Sequence, residues 1–307
     1  MWQYIVKNFF QSILIILGVI TVTFSLLYIV PGDPARMLLG QRADVESVEA
    51  VREELGLNKP IYIQYVDFLG KAVQGDLGRS YSTNREVVKT IVDKLPATAL
   101  LACSAMFISA VLGVLIGVIS SVKPYSLLDN SAMVFALFGI SIPQFVFALI
   151  MALVFGSILK WFPISGYINM GWEYLILPMV TLSLRPLSII ARVTRSSMME
   201  VMSKDYIRTA KAKGLSSNVV VFKHTLRNAL NPVVTTLSAS LAATLGGQFF
   251  IEYIFNWPGI GLLAVDSIMK LDFPMVQGTV LFTAVVFVVI NFLVDILYAL
   301  LDPKVKL

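Results

Sequence analysis

Residues 97–122 read ATALLACSAMFISAVLGVLIGVISSV, an unbroken run without Asp, Glu, Lys or Arg. About 20 such residues cross a hydrocarbon core of ~30 Å as a helix. In lipid the helical form is obligatory, because an unpaired backbone N–H or C=O there is costly. Five further stretches read the same way: residues 9–30, 131–159, 174–191, 231–251 and 275–301. Those at 131–159 and 231–251 also lack charge, that at 174–191 contains Arg185, and the last contains Asp295. One such run fits a buried soluble helix, but six exceed the core of any fold this size.

Composition agrees. The 307 residues are 57% hydrophobic and 14% charged, with a mean hydropathy of +0.80. Soluble domains carry about 25% charged residues. A cytosolic enzyme and a disordered chain are both excluded. Cys103 alone cannot form a disulfide framework or a thiolate metal site, and His224 alone cannot make a His-cluster centre. The expected fold is an all-α polytopic membrane protein with six spans. The first is no cleaved signal, since its apolar run is too long and Pro31-Gly32-Asp33-Pro34 replaces a small-residue cleavage site.

Lys and Arg set the orientation. With both termini cytoplasmic, the inner segments hold Lys7, Lys123, eight basic residues from Arg192 to Arg227, Lys304 and Lys306, against Lys160 and Lys270 in the short outer loops. The net charge of +5 then lies at the cytoplasmic face, and no nucleic acid is needed to explain it. The long outer segment, residues 31–96, is polar yet patterned. Val45, Val48, Val51 and Leu55 recur at helical spacing before Gly56; Ile61, Tyr62, Tyr65, Phe68 and Leu69 do the same; Gly75-Asp76-Leu77-Gly78 reads as a turn. Short amphipathic helices over the outer mouth are expected, either as a cover or as a contact for a partner.

The basic segment between the fourth and fifth spans has internal structure. Met198, Met199, Val201 and Met202 extend a helix out of the membrane; Tyr206, Ile207, Ala210 and Leu215 form a short apolar edge; Gly214 permits a sharp turn. A helix–turn–helix of this kind suits a partner's groove.

That segment resembles the EAA loop of ATP-binding-cassette importer permeases, whose pattern is Glu-Ala-Ala, three residues, Gly, nine residues, then Ile-x-Leu-Pro. Ala210, Gly214 and Leu226 match it, while Arg208 and Thr209 replace the first two residues of the triplet. The local form DYIRTAKAKGL is closer to the first permease subunit of the peptide/nickel branch. Further motifs agree: Pro31-Gly32-Asp33-Pro34-Ala35-Arg36, Leu55-Gly56-Leu57-Asn58-Lys59-Pro60, Gly75-Asp76-Leu77-Gly78, Phe255-Asn256-Trp257-Pro258-Gly259, and Asn291 with Val294-Asp295, Tyr298 and Asp302-Pro303. The compact outer loop between the third and fourth spans most resembles the glutathione importers.

The resemblance implies a type I importer architecture in a bacterial-type cytoplasmic membrane. Residues 1–94 would hold the first span and the outer segment, residues 95–301 the permease core, and residues 192–230 the coupling loop. A homologous second permease, two ATPase subunits, an extracytoplasmic binding protein and the lipid bilayer are the implied partners. Cofactors are expected on other chains, ATP and Mg on the ATPases; no Gly-x-x-x-x-Gly-Lys-Ser/Thr match occurs here. Asp205, Tyr206, Ile207, Arg208, Thr209, Ala210, Lys211, Ala212, Lys213, Gly214 and Leu215 would form the element the ATPases push.

Four polar residues are candidates for the translocation path: Arg185, Gln144, Gln248 and Glu252. A cation at Arg185 would attract a peptide carboxylate; the other reading is an internal pair, for instance with Asp295. Gln144 follows the expected kink at Pro143, Gln248 follows Gly246-Gly247, which allows a close helix approach or a bend, and Glu252 stands at the outer end of the fifth span, facing either substrate or the interface. Peptides, including glutathione, are the expected cargo. The alternatives are a nickel or metal chelate and, in a different class, a stand-alone secondary transporter. Bare nickel is disfavoured, because no intramembrane cluster of nitrogen ligands exists.

Overall fold

The structure is a computed structural model describing residues 2–29, 34–39, 43–54, 56–246 and 248–301. Among these, no strand forms, and a single β-bridge joins Arg79 to Glu86. The long first helix α1 (Trp2–Ile29) precedes three short ones, α2 (Pro34–Leu39), α3 (Val45–Glu54) and α4 (Ile61–Val73). Asp44 caps α3 by accepting the Ser47 N–H at 2.7 Å, and the Ser47 hydrogen bonds hold its carboxyl below the usual range. Gly56, at φ +69°, follows α3, a conformation open to glycine at little cost. The apolar side of α4 meets α1: the Phe24 ring lies 5.3 Å from Tyr65 and 5.9 Å from Phe68.

Helix α5 (Val87–Val122) starts ten residues before the apolar run that predicted it, and continues through Pro96. It packs along α8 (Ile176–Met202). Two glycines make this possible. A Cβ on Gly113 would lie 2.9 Å from the Leu187 carbonyl oxygen, and one on Gly117 2.7 Å from that of Ala191. Close backbone approach through small residues is the packing mode of membrane helices. Across the same seam the Ser109 hydroxyl lies 2.9 Å from the Ser183 carbonyl, three residues before Pro186.

Two expected spans are not single helices. The stretch 131–159 forms α6 (Leu127–Ser141), then α7 (Gln144–Met151) and a π-helical turn Ala152–Ile158, with a bend of 104° at Ile142–Pro143. Proline lacks the N–H needed to continue the ladder and disfavours α geometry in the residue before it. The stretch 231–251 likewise divides. After α9 (Asp205–Ala212) and a π-helical segment Val219–Leu226, α10 (Arg227–Leu245) ends at Gly246, and α11 (Phe249–Ile254) begins after the non-helical Gln248. The fourth expected span gains a 3-10 turn, Trp172–Leu175, and runs on to Met202. Then come α12 (Ile260–Met269) and α13 (Phe273–Leu301). Among the described residues, Val87–Val122, Trp172–Met202 and Phe273–Val294 are each long and apolar enough to cross a membrane, and the bent α6–α7 pair would add one crossing. α1 carries the shorter apolar stretch Phe10–Ser25.

The main core joins α5, α7, α8 and α11: Leu101, Ala105, Ala148, Leu177, Leu182 and Ile251 surround Phe255 and Trp257. Residues 31–33 and 302–303, and the side chains of Asp295 and Tyr298, fall outside the described set, and with them the expected Arg185–Asp295 pairing.

Candidate coupling face and translocation path

The element read from residues 205–215 is a short surface helix on a narrow footing. Ile207 is fully buried and Ala210 nearly so, packed against Val220 and Val201. Asp205, Tyr206, Arg208, Thr209, Lys211, Ala212, Lys213, Gly214 and Leu215 are all exposed. Arg208 and Asp205 pair at 3.3 Å in the open, a contact that contributes little to stability. Gly214, at φ +79°, ends the helix, its N–H donating to the Lys211 carbonyl at 3.0 Å. Through Val201 the footing reaches the end of α8; through Val220 it reaches the π-helical segment that runs directly into α10. α9 is therefore seated on both the end of α8 and the segment that leads into α10.

The four path candidates occupy different settings. Arg185 is exposed on α8 and forms no ion pair among the described residues. Arg192 and Ser196 continue its exposed line at helical spacing, and α10 exposes Asn231 and Thr235. An arginine against lipid costs about 2.5–3.5 kcal/mol on insertion scales, so such a line belongs against protein or water. Gln144 opens α7 just after the bend, and Gln248 precedes α11 just after the other break; both are half-buried. Phe145 and Phe250, with ring centroids 5.9 Å apart, bring the two breaks side by side. Arg185 makes no hydrogen bond with Gln144, Gln248 or Glu252.

Glu252 differs from the other three. It is 1% exposed, and its carboxylate accepts from the Thr98 hydroxyl at 2.9 Å and the N–H groups of Gly261 at 2.7 Å and Leu262 at 3.3 Å. A carboxylate at the start of α12 satisfies donors that the helix cannot. A Cβ on Gly259 would collide with that carboxylate and with Thr98. The structure thus places Glu252 inside the fold, as the cap of α12.

Three further arrangements were not visible in the sequence reading. Trp257, fully buried, donates its indole N–H to the Ala97 carbonyl at 2.8 Å. Asp272, 1% exposed, accepts from the hydroxyls of Ser80 and Ser82 and from the N–H groups of Tyr81 and Ser82. This clasp fastens residues 80–82 to the α12–α13 corner. Asp129 accepts both Arg195 Nε, at 2.6 Å, and Nη2, at 2.7 Å, and also the Tyr125 N–H at 2.7 Å. A lone acid in LLDN, at the edge of an apolar run, was the available signal for Asp129. Asp272 gave none, since its partners lie about 190 residues away. No group of His, Cys, Asp or Glu that could hold a metal ion occurs among the described residues.

Residues 113–307 match the family described as the binding-protein-dependent transport system inner membrane component, and residues 1–102 match the N-terminal model of the same transport systems. The dipeptide transport system permease of Alkalihalophilus pseudofirmus is 38% identical, with all of both chains covered. The di/tripeptide transport system permease of Pseudomonas aeruginosa is 39% identical over 94% of each chain. The glutathione transport system permease of Escherichia coli K12 is 38% identical, covering 100% of this chain and 99% of that one. Among solved structures, the MetNI methionine ABC transporter in an inward-facing form matches with a TM-score of 0.55 at 17% identity, over 69% of this chain and 96% of that chain. That likeness establishes a type I importer fold.

Proposed function

The chain belongs to the family of binding-protein-dependent transport system inner membrane components, and on that premise we propose that it carries short peptides, di- or tripeptides or glutathione, inward across a bacterial cytoplasmic membrane. It is a non-catalytic membrane subunit. In the assembly we envisage, a homologous second permease completes the passage, and a binding protein delivers the solute from outside. Two ATPase subunits at the cytoplasmic face bind ATP and Mg and supply the energy. The chain crosses the membrane six times with both termini inside.

The observation that carries this reading is α9: a basic helix, exposed except for Ile207 and Ala210, whose footing leads into both α8 and α10. ATP-driven closure of the ATPases would push it, and the helices would convey that motion to the passage. Arg185, Gln144 and Gln248 are proposed to line the passage, Arg185 attracting the peptide carboxylate. Glu252 acts through the α12 cap and not as a wall of the passage.

The test is the double variant Arg208→Glu with Gly214→Leu in the assembled system. Peptide uptake should vanish while the chain stays in the membrane; uptake at the normal rate overturns the coupling role. Binding of di- and tripeptides, glutathione and nickel chelates to the cognate binding protein then separates the cargo classes.

A further inference from the structure

The bidentate pair Asp129–Arg195 is, among the described residues, the one ion pair whose carboxylate is wholly buried. Burying such a pair contributes little net stability over an apolar replacement, which directs attention to what it joins. Asp129 lies in the first turn of α6, and Arg195 lies on α8 two turns before Met202, where α9 follows. Tyr125, at φ +62°, adds its N–H to the carboxylate and sets its ring 6.0 Å from the guanidinium. At its other end α6 touches α8 again, where Gly139 packs against Leu184 and Ser188. These two residues flank Pro186, and Gly139 stands one turn before the Ile142–Pro143 bend. The Ile142–Pro143 bend and Pro186, which α8 carries through as one helix, are therefore neighbours. On one side of them lie α6 and the cytoplasmic half of α8; on the other, α7 packs with Leu177, Leu182 and Ile251.

Building on the importer reading, we propose that Asp129 and Arg195 clamp α6 to the cytoplasmic half of α8, so that the two move as one body when α9 is pushed and flexing is confined to Pro143 and Pro186. Both are positioning residues, holding each other and the Tyr125 N–H. The clamp extends the driven body from α8 to α6, and the 104° bend becomes the place where motion enters α7.

The experiment uses the complete importer in lipid with Cys103→Ser as background. Spin labels are placed at the exposed positions Asn130 and Ser196 in one preparation and at Asn130 and Leu149 in another. Between nucleotide-free and ATP-trapped states, the 130–196 distance should hold and the 130–149 distance should change. A change in the 130–196 distance in an active complex overturns the clamp; a complex with no ATP-driven peptide uptake overturns the importer reading and the clamp with it. In unlabelled complexes, Arg195→Gln should lower peptide moved per ATP hydrolysed by about five-fold or more, the lower end of usual coupling strengths. The exchange Asp129→Arg with Arg195→Asp should restore part of that ratio. An unchanged ratio in Arg195→Gln also overturns the proposal.

Discussion

Trp257 and Ala97 are joined by an indole hydrogen bond of 2.8 Å that spans 160 residues of sequence. The bond lands on α5 one residue after Pro96, and the Trp257 ring meets Tyr167 edge-on at a centroid distance of 4.8 Å. The Phe255–Gly259 turn, a motif by sequence, is in three dimensions the plug of the main core. Trp257→Ala should cost about 3–5 kcal/mol, the usual range for a buried aromatic. Trp257→Phe retains an aromatic ring but removes the indole donor from an Ala97 carbonyl that keeps its place in the α5 ladder, and the lost bond should cost about 0.5–1.5 kcal/mol. Thermal unfolding of the purified chain in detergent ranks the two; a Trp257→Phe chain as stable as the parent would count against the hydrogen bond.

The Asp272 clasp fixes how the outer segment meets the core. Asp272→Ala leaves two hydroxyls and two N–H groups without their acceptor, a loss of about 3 kcal/mol once water has partly replaced it. Limited proteolysis should then cut within residues 77–86, which stay protected in the parent chain.

The same clasp predicts a response to pH. Burial first, and then the charge of Asp272, push the Tyr81 hydroxyl up from 10.0 to about 12. An acid whose folded pKa is raised favours the folded state in its neutral form. That contribution is complete below pH 10 and is lost as pH rises toward 12. Proteolysis of the 77–86 segment should increase over that window, and Tyr81→Phe should abolish the increase.

Gly117 tests the α5–α8 seam. A Cβ there meets the Ala191 carbonyl at 2.7 Å and the Thr194 Cβ at 2.5 Å, neither free to withdraw without parting the helices. Gly117→Ala should destabilise by about 1–3 kcal/mol, as overpacking does. Gly18→Ala, where an added methyl inside helix α1 meets nothing within 4 Å, is the matched control and should not lower the melting temperature.

Glu252 separates a cap from a passage wall. Glu252→Gln retains one acceptor oxygen but turns an amide toward donors, so the chain should lose about 1–3 kcal/mol of stability. For a cap, the effect on uptake should follow folded protein alone, with the apparent affinity for peptide unchanged. A shifted affinity at normal stability would restore Glu252 to the path.

Residue chemistry alone revealed the class of the molecule. Uncharged runs, the Lys and Arg asymmetry and the segment around Gly214 are local signals, and each depends on one stretch of chain meeting lipid or water. The helix at 205–212 and the break before Gln144 were legible for that reason, because proline, glycine and amphipathic spacing act over a few residues. Folding decided what depends on distant partners. Gly246-Gly247 allows either a close helix approach or a bend within 231–251; the fold takes the bend, the helix stopping at Leu245, and the chain beyond it seats Trp257 on Ala97 and brings Glu252 onto α12. Asp129, Glu252 and Asp272 look alike as acids in a sequence. Only the tertiary structure gives one an arginine, one the start of a helix and one a loop 190 residues away, since the cost of a buried carboxylate is met by whatever donors the fold brings to it.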